Sequence, residues 1–331
     1  MPIIKGTRFS DQLSATATRQ EELRGLGGDD TFLFHFNDRS DRFIGGAGDD
    51  RLQIVFPEDI ERSAPTGLLK DVKFVGGPGF DTIELTFDME RIDIVLNLNR
   101  QGFRTGSAEA IEINAMFATY LDGTPDFTLQ GTGGTDILNF QTTAYTTGML
   151  RAMTGGGADT VAINGFGRIL NVIINTGTGN DTIRLGSTVE STTVNSGAGA
   201  DTIYTSWLNS ERIMAGGGND TIILDGHNHG VSPDIITGGA GRDRFVTDIL
   251  QYATSAIITD FRAGQDKIVV TNDDFKPEDL VFVERAADIG NDFSTLYFAR
   301  QEAELYLRGS LLIDLDGAAR VGARDFLFEP E

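Results

Sequence analysis

SGAGADTIYTSWLNSERIMAGGGNDTIIL, Ser196 to Leu224, contains one short phrase twice: small residues and glycines, then an aspartate, then a large apolar residue. The two copies are SGAGADTI (Ser196 to Ile203) and AGGGNDTI (Ala215 to Ile222). Working outward, the same phrase recurs as TGTGNDTI (Thr176 to Ile183), TGGGADTV (Thr154 to Val161), GTGGTDIL (Gly131 to Leu138), GGPGFDTI (Gly76 to Ile83), GGAGDDRL (Gly45 to Leu52) and GLGGDDTF (Gly25 to Phe32). On the C-terminal side it recurs as GGAGRDRF (Gly238 to Phe245). A repeat of this kind decides the architecture before any single residue is considered.

With the phrase numbered one to eight, position four is glycine in every copy: Gly28, Gly48, Gly79, Gly134, Gly157, Gly179, Gly199, Gly218 and Gly241. Position six is aspartate in every copy: Asp30, Asp50, Asp81, Asp136, Asp159, Asp181, Asp201, Asp220 and Asp243. Position eight is always large and apolar, from Phe32 to Phe245. Glycine turns the chain through positive φ, and the Thr-rich, β-branched run after the aspartate reads as a short strand. Two weaker copies extend the series: GTRFSDQL, with Asp11 and Leu13, and TGSAEAI, which places Glu109 at the acidic position.

A second apolar column lies two residues before each phrase, at Leu23, Phe43, Phe74, Leu129, Ala152, Ile174, Val194, Ile213 and Ile236. Each coil therefore carries two inward-facing strands, and stacked coils bury both columns between two parallel sheets. The expected fold is all-β: a parallel β-roll or β-solenoid over residues 1–245, with insertions near 56–73 and 91–104. Residues 246–331 are expected to form a C-terminal β cap, with strands at 281–284, 295–299 and 311–315.

The repeats resemble those of the RTX family, the repeats-in-toxin or hemolysin-type calcium-binding proteins, whose nonapeptide is GGxGxDxUx. The resemblance implies calcium ions held between the glycine turns of successive coils by aspartate carboxylates and turn carbonyls. Calcium takes six to eight hard oxygen ligands at flexible distances, which suits such turns. The implied metal-binding residues are the nine position-six aspartates above, with Gly28, Gly48, Gly79, Gly157, Gly179, Gly199, Gly218 and Gly241 shaping the turns. Asp260 and Asp266, in ITDFRAGQDKIVV, are candidates for a terminal ion or simply flank a turn.

The opposite edge reads Glu21, Asp41, Val72, Phe127, Leu150, Val172, Thr192, Glu211 and Asp234, with five successive coils lacking an acid. The expectation is one long calcium file and at most short patches opposite. The formal charge of −22 agrees with many divalent ions. The same acidity argues against nucleic acid and against unaided adhesion to anionic lipid. No cysteine is present, which removes disulfides and thiolate sites.

Catalytic signatures are sparse. HExxH and GxSxG are absent, and the chain has three histidines. His227 and His229 in DGHNHG read as a solvated loop, and Trp207 as partly buried. The charged stretch from Phe56 to Lys73 reads as an exposed loop. Chain termini add one further expectation. MPIIKGTRFSD has no apolar signal-peptide core, while RDFLFEPE carries an acid followed by apolar residues, Asp325 to Phe328. That ending resembles the uncleaved C-terminal signal of type I secretion substrates of Gram-negative bacteria. The sequence thus points to a secreted, extracellular or cell-surface calcium-binding β-roll with a structural, adhesive or matrix role and no catalytic site. Its expected partners are calcium, a type I exporter and an extracellular polysaccharide or cell surface. The alternatives are a carbohydrate-binding or carbohydrate-active solenoid, of the kind associated with lyases and epimerases, and a membrane-active effector.

Overall fold

In the computed structural model, the described residues are 1–16, 19–35, 41–55, 73–77, 80–87, 94–97, 110–117, 127–130, 133–142, 149–165, 169–186, 189–206, 211–224, 234–247, 255–271, 280–284, 293–298, 310–314 and 323–329. They form strands, turns and one short 3-10 segment, Ala323–Asp325, with no α-helix. The chain divides into two compact units, Met1–Gly177 and Thr178–Glu331. Each is a β-solenoid of parallel strands stacked coil on coil.

In the first unit, one sheet runs through Gln12–Ser14, Thr31–His35, Arg51–Val55, Phe80–Phe87, Ala110–Phe117, Thr135–Thr142 and Thr160–Gly165, every neighbour parallel. Its register sets Leu13, Phe32, Leu52, Ile83, Ile113, Leu138 and Val161 in one row. The facing strands fall into two sets. Ile3–Lys5, Glu22–Arg24, Arg42–Ile44 and Lys73–Val75 form one. Ile94–Asn97, Phe127–Gln130, Leu150–Met153 and Val172–Asn175 form the other.

The second unit repeats this plan. Thr182–Leu185, Thr202–Tyr204, Thr221–Leu224, Arg244–Thr247, Lys267–Val270 and Phe326–Phe328 line up in one sheet. Thr193–Asn195, Arg212–Gly217, Asp234–Ala240, Ser255–Ile258 and Ser310–Asp314 line up opposite. Two antiparallel strands, Leu280–Glu284 and Phe293–Phe298, extend this second sheet beyond Ser310–Asp314. The three C-terminal strands expected from sequence are therefore present, each within two residues of its expected bounds.

Both apolar columns are inside. Leu23, Phe32, Phe43, Ile174, Ile183, Val194, Ile203, Ile213, Ile222, Ile236 and Phe245 are all fully buried. The strand period of two explains this: each column residue points in while its neighbours point out. Burial of each such side chain contributes about 1.5–3 kcal/mol, and a stacked ladder multiplies the term coil by coil. Near the N-terminal end, Phe32 and Phe43 meet edge to face, ring centroids 5.8 Å apart.

Two sequence expectations change. Residues 94–97 fall inside the stretch expected as an insertion, yet Ile94–Asn97 is a strand whose Leu96 pairs with Leu129. The two-before-the-phrase rule misses Leu96 because no glycine phrase follows it. Second, Glu109 does not mark the acidic position of its coil. The register sets Ile111 opposite both Asp81 and Asp136. The weak copy was aligned two residues too early, and Glu109 itself lies outside the described residues, as do residues 56–72.

The turns are shaped by glycine at two positions. Gly218 at position four has φ 141° and Gly216 at position two has φ 107°. A Cβ on either would collide with the carbonyl oxygen of the matching glycine one coil earlier, Gly199 or Gly197. Gly217, between them, has open space where a Cβ would sit. Gly218→Ala is therefore expected to cost at least about 2 kcal/mol, whereas Gly217→Ala stays within about 0.5 kcal/mol. Denaturant melts of the two variants in excess calcium check this contrast.

Candidate metal centre

The position-six aspartates lie at the junction of turn and strand, and the coil-to-coil stacking lines them up. The described position-six aspartates from Asp30 to Asp243 are at most 1% exposed. Along most of the file, Oδ1 accepts the backbone N–H of the matching aspartate one coil earlier. The Asp11 amide donates to Asp30 (2.8 Å), Asp30 to Asp50 (2.9 Å) and Asp50 to Asp81 (3.1 Å). Asp136 donates to Asp159 (2.8 Å). In the second unit Asp181 donates to Asp201 (2.9 Å), Asp201 to Asp220 (2.9 Å), Asp220 to Asp243 (3.1 Å) and Asp243 to Asp266 (3.1 Å).

One carboxylate oxygen is thus used by the fold. Oδ2 of Asp30, Asp50 and Asp220 is buried with no hydrogen-bond partner. In the early coils it tucks beneath position one of its own turn, where a Cβ on Gly25 or Gly45 would collide with it. A buried carboxylate oxygen without a partner is costly unless a cation completes it. Among the described residues no three Asp, Glu, His or Cys side chains converge on one point. An ion here would therefore be shared between single carboxylates and the turn carbonyls that glycine exposes, an all-oxygen set that fits calcium.

The electrostatics agree. Burial pushes the Asp220 carboxyl up to about 7, against a lowering by the Asp201 amide and a further raising by the Asp201 and Asp243 charges. Burial pushes Asp50 up to about 6, with Asp30, Asp29 and Asp49 adding repulsion. Asp30, Asp201, Asp243 and Asp266 are raised for the same first reason. A metal-free file at neutral pH is thus an array of groups that resist ionising together.

The structure separates the two C-terminal candidates. Asp266, 2% exposed, continues the ladder past residue 245. It accepts from Asp243 on Oδ1 and from the Arg262 amide (2.6 Å) on Oδ2. Its turn, FRAGQDKI, carries Gly264 at position four with φ 86° and Ile268 at position eight, so it is a further copy of the phrase. Asp260 plays a different part: its two oxygens accept from the amides of Gly238 (2.8 Å) and Gly239 (2.7 Å) and cap the preceding turn. The ladder stops at the next coil. The register of Phe326 with Ile268 leaves Arg324 where the acid would stand, and its carbonyl accepts from Lys267 Nζ at 2.9 Å.

On the opposite edge the acids form two short patches. The Glu21 amide donates to Asp41 Oδ1 (2.7 Å), and Glu211 to Asp234 Oδ1 (2.9 Å). Buried Leu150 and Val172 occupy the same column in other coils. Position five adds a polar ladder that the sequence reading passed over. The Asp49 amide donates to Asp29 Oδ1 (2.9 Å), Ala200 to Asn180 Oδ1 (2.8 Å) and Arg242 to Asn219 Oδ1 (2.9 Å). It runs opposite to the position-six ladder, and Asp or Asn at position five was its available signal. Gly79, Trp207, His227 and His229 lie outside the described residues.

Residues 37–53 and 171–187 match the RTX calcium-binding nonapeptide repeat (4 copies). Residues 196–329 match the Peptidase M10 serralysin C terminal family. Together these two matches support an RTX-family protein. No curated protein matches the chain. The serralysin C-terminal match takes in the last four aspartates of the second unit's ladder, from Asp201 onward, together with the strand Phe326–Phe328. The repeats and the β-solenoid fold fit a calcium-binding β-roll, and the ladder of buried carboxylates is its candidate metal file.

The raised carboxyl groups set a sign. Between the ordinary aspartate value of 3.8 and the folded values of about 6 for Asp50 and about 7 for Asp220, the folded metal-free chain holds more protons than the unfolded one. Its stability therefore falls as pH rises through that window. In chelator the β circular dichroism is expected to be lost as pH rises from 5 to 8, and in calcium, which binds the ionised form, to be retained. Asp220→Asn should keep more of it than wild type in chelator at pH 8 and gain less from calcium. Circular dichroism at the two pH values, with chelator and with calcium, gives all four readings.

Proposed function

We propose that this protein is exported unfolded by a type I secretion system and folds outside the cell as calcium fills its file. There it serves a structural, adhesive or matrix role. The observation that carries this reading is the stack of buried carboxylates with oxygens left unsatisfied by the protein, a state that a divalent cation resolves. Ions that bind only the folded chain drive folding by mass action. Extracellular calcium modules bind at about 10⁻⁴ to 10⁻³ M, so such sites stay empty at cytosolic calcium and fill on release.

Export is supported by the serralysin C-terminal match over 196–329. In this reading residues 1–245 supply the roll and residues 246–331 cap it and carry the address. The C-terminal strand has a place in the finished fold. Asp325 is fully buried and accepts from the Gly264 amide at 2.7 Å, and Phe326–Phe328 pairs with Lys267–Val270. One segment thus serves as an export signal while unfolded and as a closing strand once calcium is present.

In excess chelator the β circular dichroism is expected to collapse, and millimolar calcium to restore it; a spectrum indifferent to chelator refutes the calcium-folding reading. Coexpression with a type I exporter should release the full chain and retain a variant lacking residues 246–331. Calcium-driven assembly without polysaccharide binding or liposome leakage supports the structural role. Polysaccharide gel shift or product release would move the assignment to a carbohydrate-directed solenoid, and calcium-dependent leakage to a membrane-active effector.

A further inference from the structure

The carboxylate ladder of the first unit is interrupted once, at Ile111, which the register places opposite Asp81 on one side and Asp136 on the other. How the backbone responds is informative. Where two coils both carry the acid, the position-six amide donates to the next carboxylate and strand pairing starts one residue later. Asp50 bonds Asp81 at 3.1 Å and pairing begins at Arg51 with Thr82. Asp136 bonds Asp159 at 2.8 Å and pairing begins at Ile137 with Thr160.

Around Ile111 the pattern changes. Pairing begins at position five, Ala110 opposite Phe80 and Thr135, and runs without a break to Phe117 opposite Phe87 and Thr142. Strand-to-strand pairing has taken over the place that the carboxylate fills elsewhere, as a buried backbone amide requires some partner. The facing layer breaks at the same level. Among the described residues, Lys73–Val75 is the last strand of one sheet and Ile94–Asn97 the last strand of another.

We infer that Ile111 divides the calcium file of the first unit into two blocks, Asp11 to Asp81 and Asp136 with Asp159, that load separately across a coil which needs no ion. The inference rests on the calcium reading above. An isoleucine supplies no oxygen, so neither gap beside it has a carboxylate from both of its coils. Asp81 and Asp136 stand two strand spacings apart, about 10 Å. With twice the separation and no carboxylate shared across Ile111, an ion in one block acts less on the other than on its own neighbours. Neighbouring sites within a block, one spacing apart, remain coupled.

The test uses the full chain, titrated with calcium chloride from the chelated state and followed by isothermal calorimetry and circular dichroism. At least two loading transitions are expected. Asp50→Ala should move the midpoint of one by about tenfold and leave in place the one that Asp159→Ala moves, as loss of a charged ligand lowers calcium affinity. Ile111→Asp should raise the number of ions bound and bring the two transitions together. If the two alanine variants shift one common transition alike, the division is wrong although the calcium reading stands. If calorimetry detects no calcium binding, both fall. Should Ile111→Asp fail to fold, the two alanine variants decide the matter alone.

Discussion

A backbone amide donating to a buried carboxylate one coil ahead is the contact on which this structure depends. It repeats from Asp11 to Asp81, from Asp136 to Asp159 and from Asp181 to Asp266. The bond fixes the register of each coil on the next, because it joins the same position of the phrase in both. It also forces the charge inward. Each coil therefore brings a negative group to a place where water does not reach, and the partnerless Oδ2 atoms of Asp30, Asp50 and Asp220 mark what that arrangement lacks. A single feature thus sets both the geometry of the fold and its need for a cation.

Stability and electrostatics pull in opposite directions here. The apolar ladders on either side of the file favour closure of the coil. The carboxylates oppose it once ionised, because burial and neighbouring charges both penalise the anion. In the function proposed above, the balance between them makes folding conditional on a bound ion. For a chain that crosses an exporter unfolded, as proposed, that conditionality is useful: the same acids that destabilise the metal-free form would hold the metal-bound one together.

Much of this was legible in the sequence because the phrase is strict. Glycine at position four, aspartate at six and an apolar residue at eight gave the sheet, the inward columns and the candidate ligands together. The parts that were not legible share one cause. Where the phrase decays, spacing no longer reports register. TGSAEAI looked like a weak copy with Glu109 as its acid, but an isolated strand offers no way to choose between two alignments two residues apart, since both keep the same residues facing inward. Pairing to its neighbours chose Ile111. Leu96 escaped for the same reason, having no glycine turn after it. FRAGQDKI is the opposite case: Gly264, Asp266 and Ile268 obey the phrase, but a single glycine remains of the usual run.

Asp260 and Asp266 show the limit of reading ligands from residue type. Six residues apart, both acidic and both beside turns, they are alike in sequence. Asp266 sits in the file because its strand continues the main sheet, with Ile268 opposite Phe245. Asp260 follows the facing strand Ser255–Ile258, which delivers it to the amides of Gly238 and Gly239 instead. There the carboxylate does from within the chain what an anion does at a glycine nest, neutralising two aligned N–H groups. Beyond it, Arg324 takes the next acidic position and Lys267 donates to its carbonyl. The file therefore ends in a different arrangement: Arg324 is exposed, and the buried Asp325 beside it accepts from the Gly264 amide and lies 3.7 Å from Lys267 Nζ, so the last carboxylate is met from within the chain.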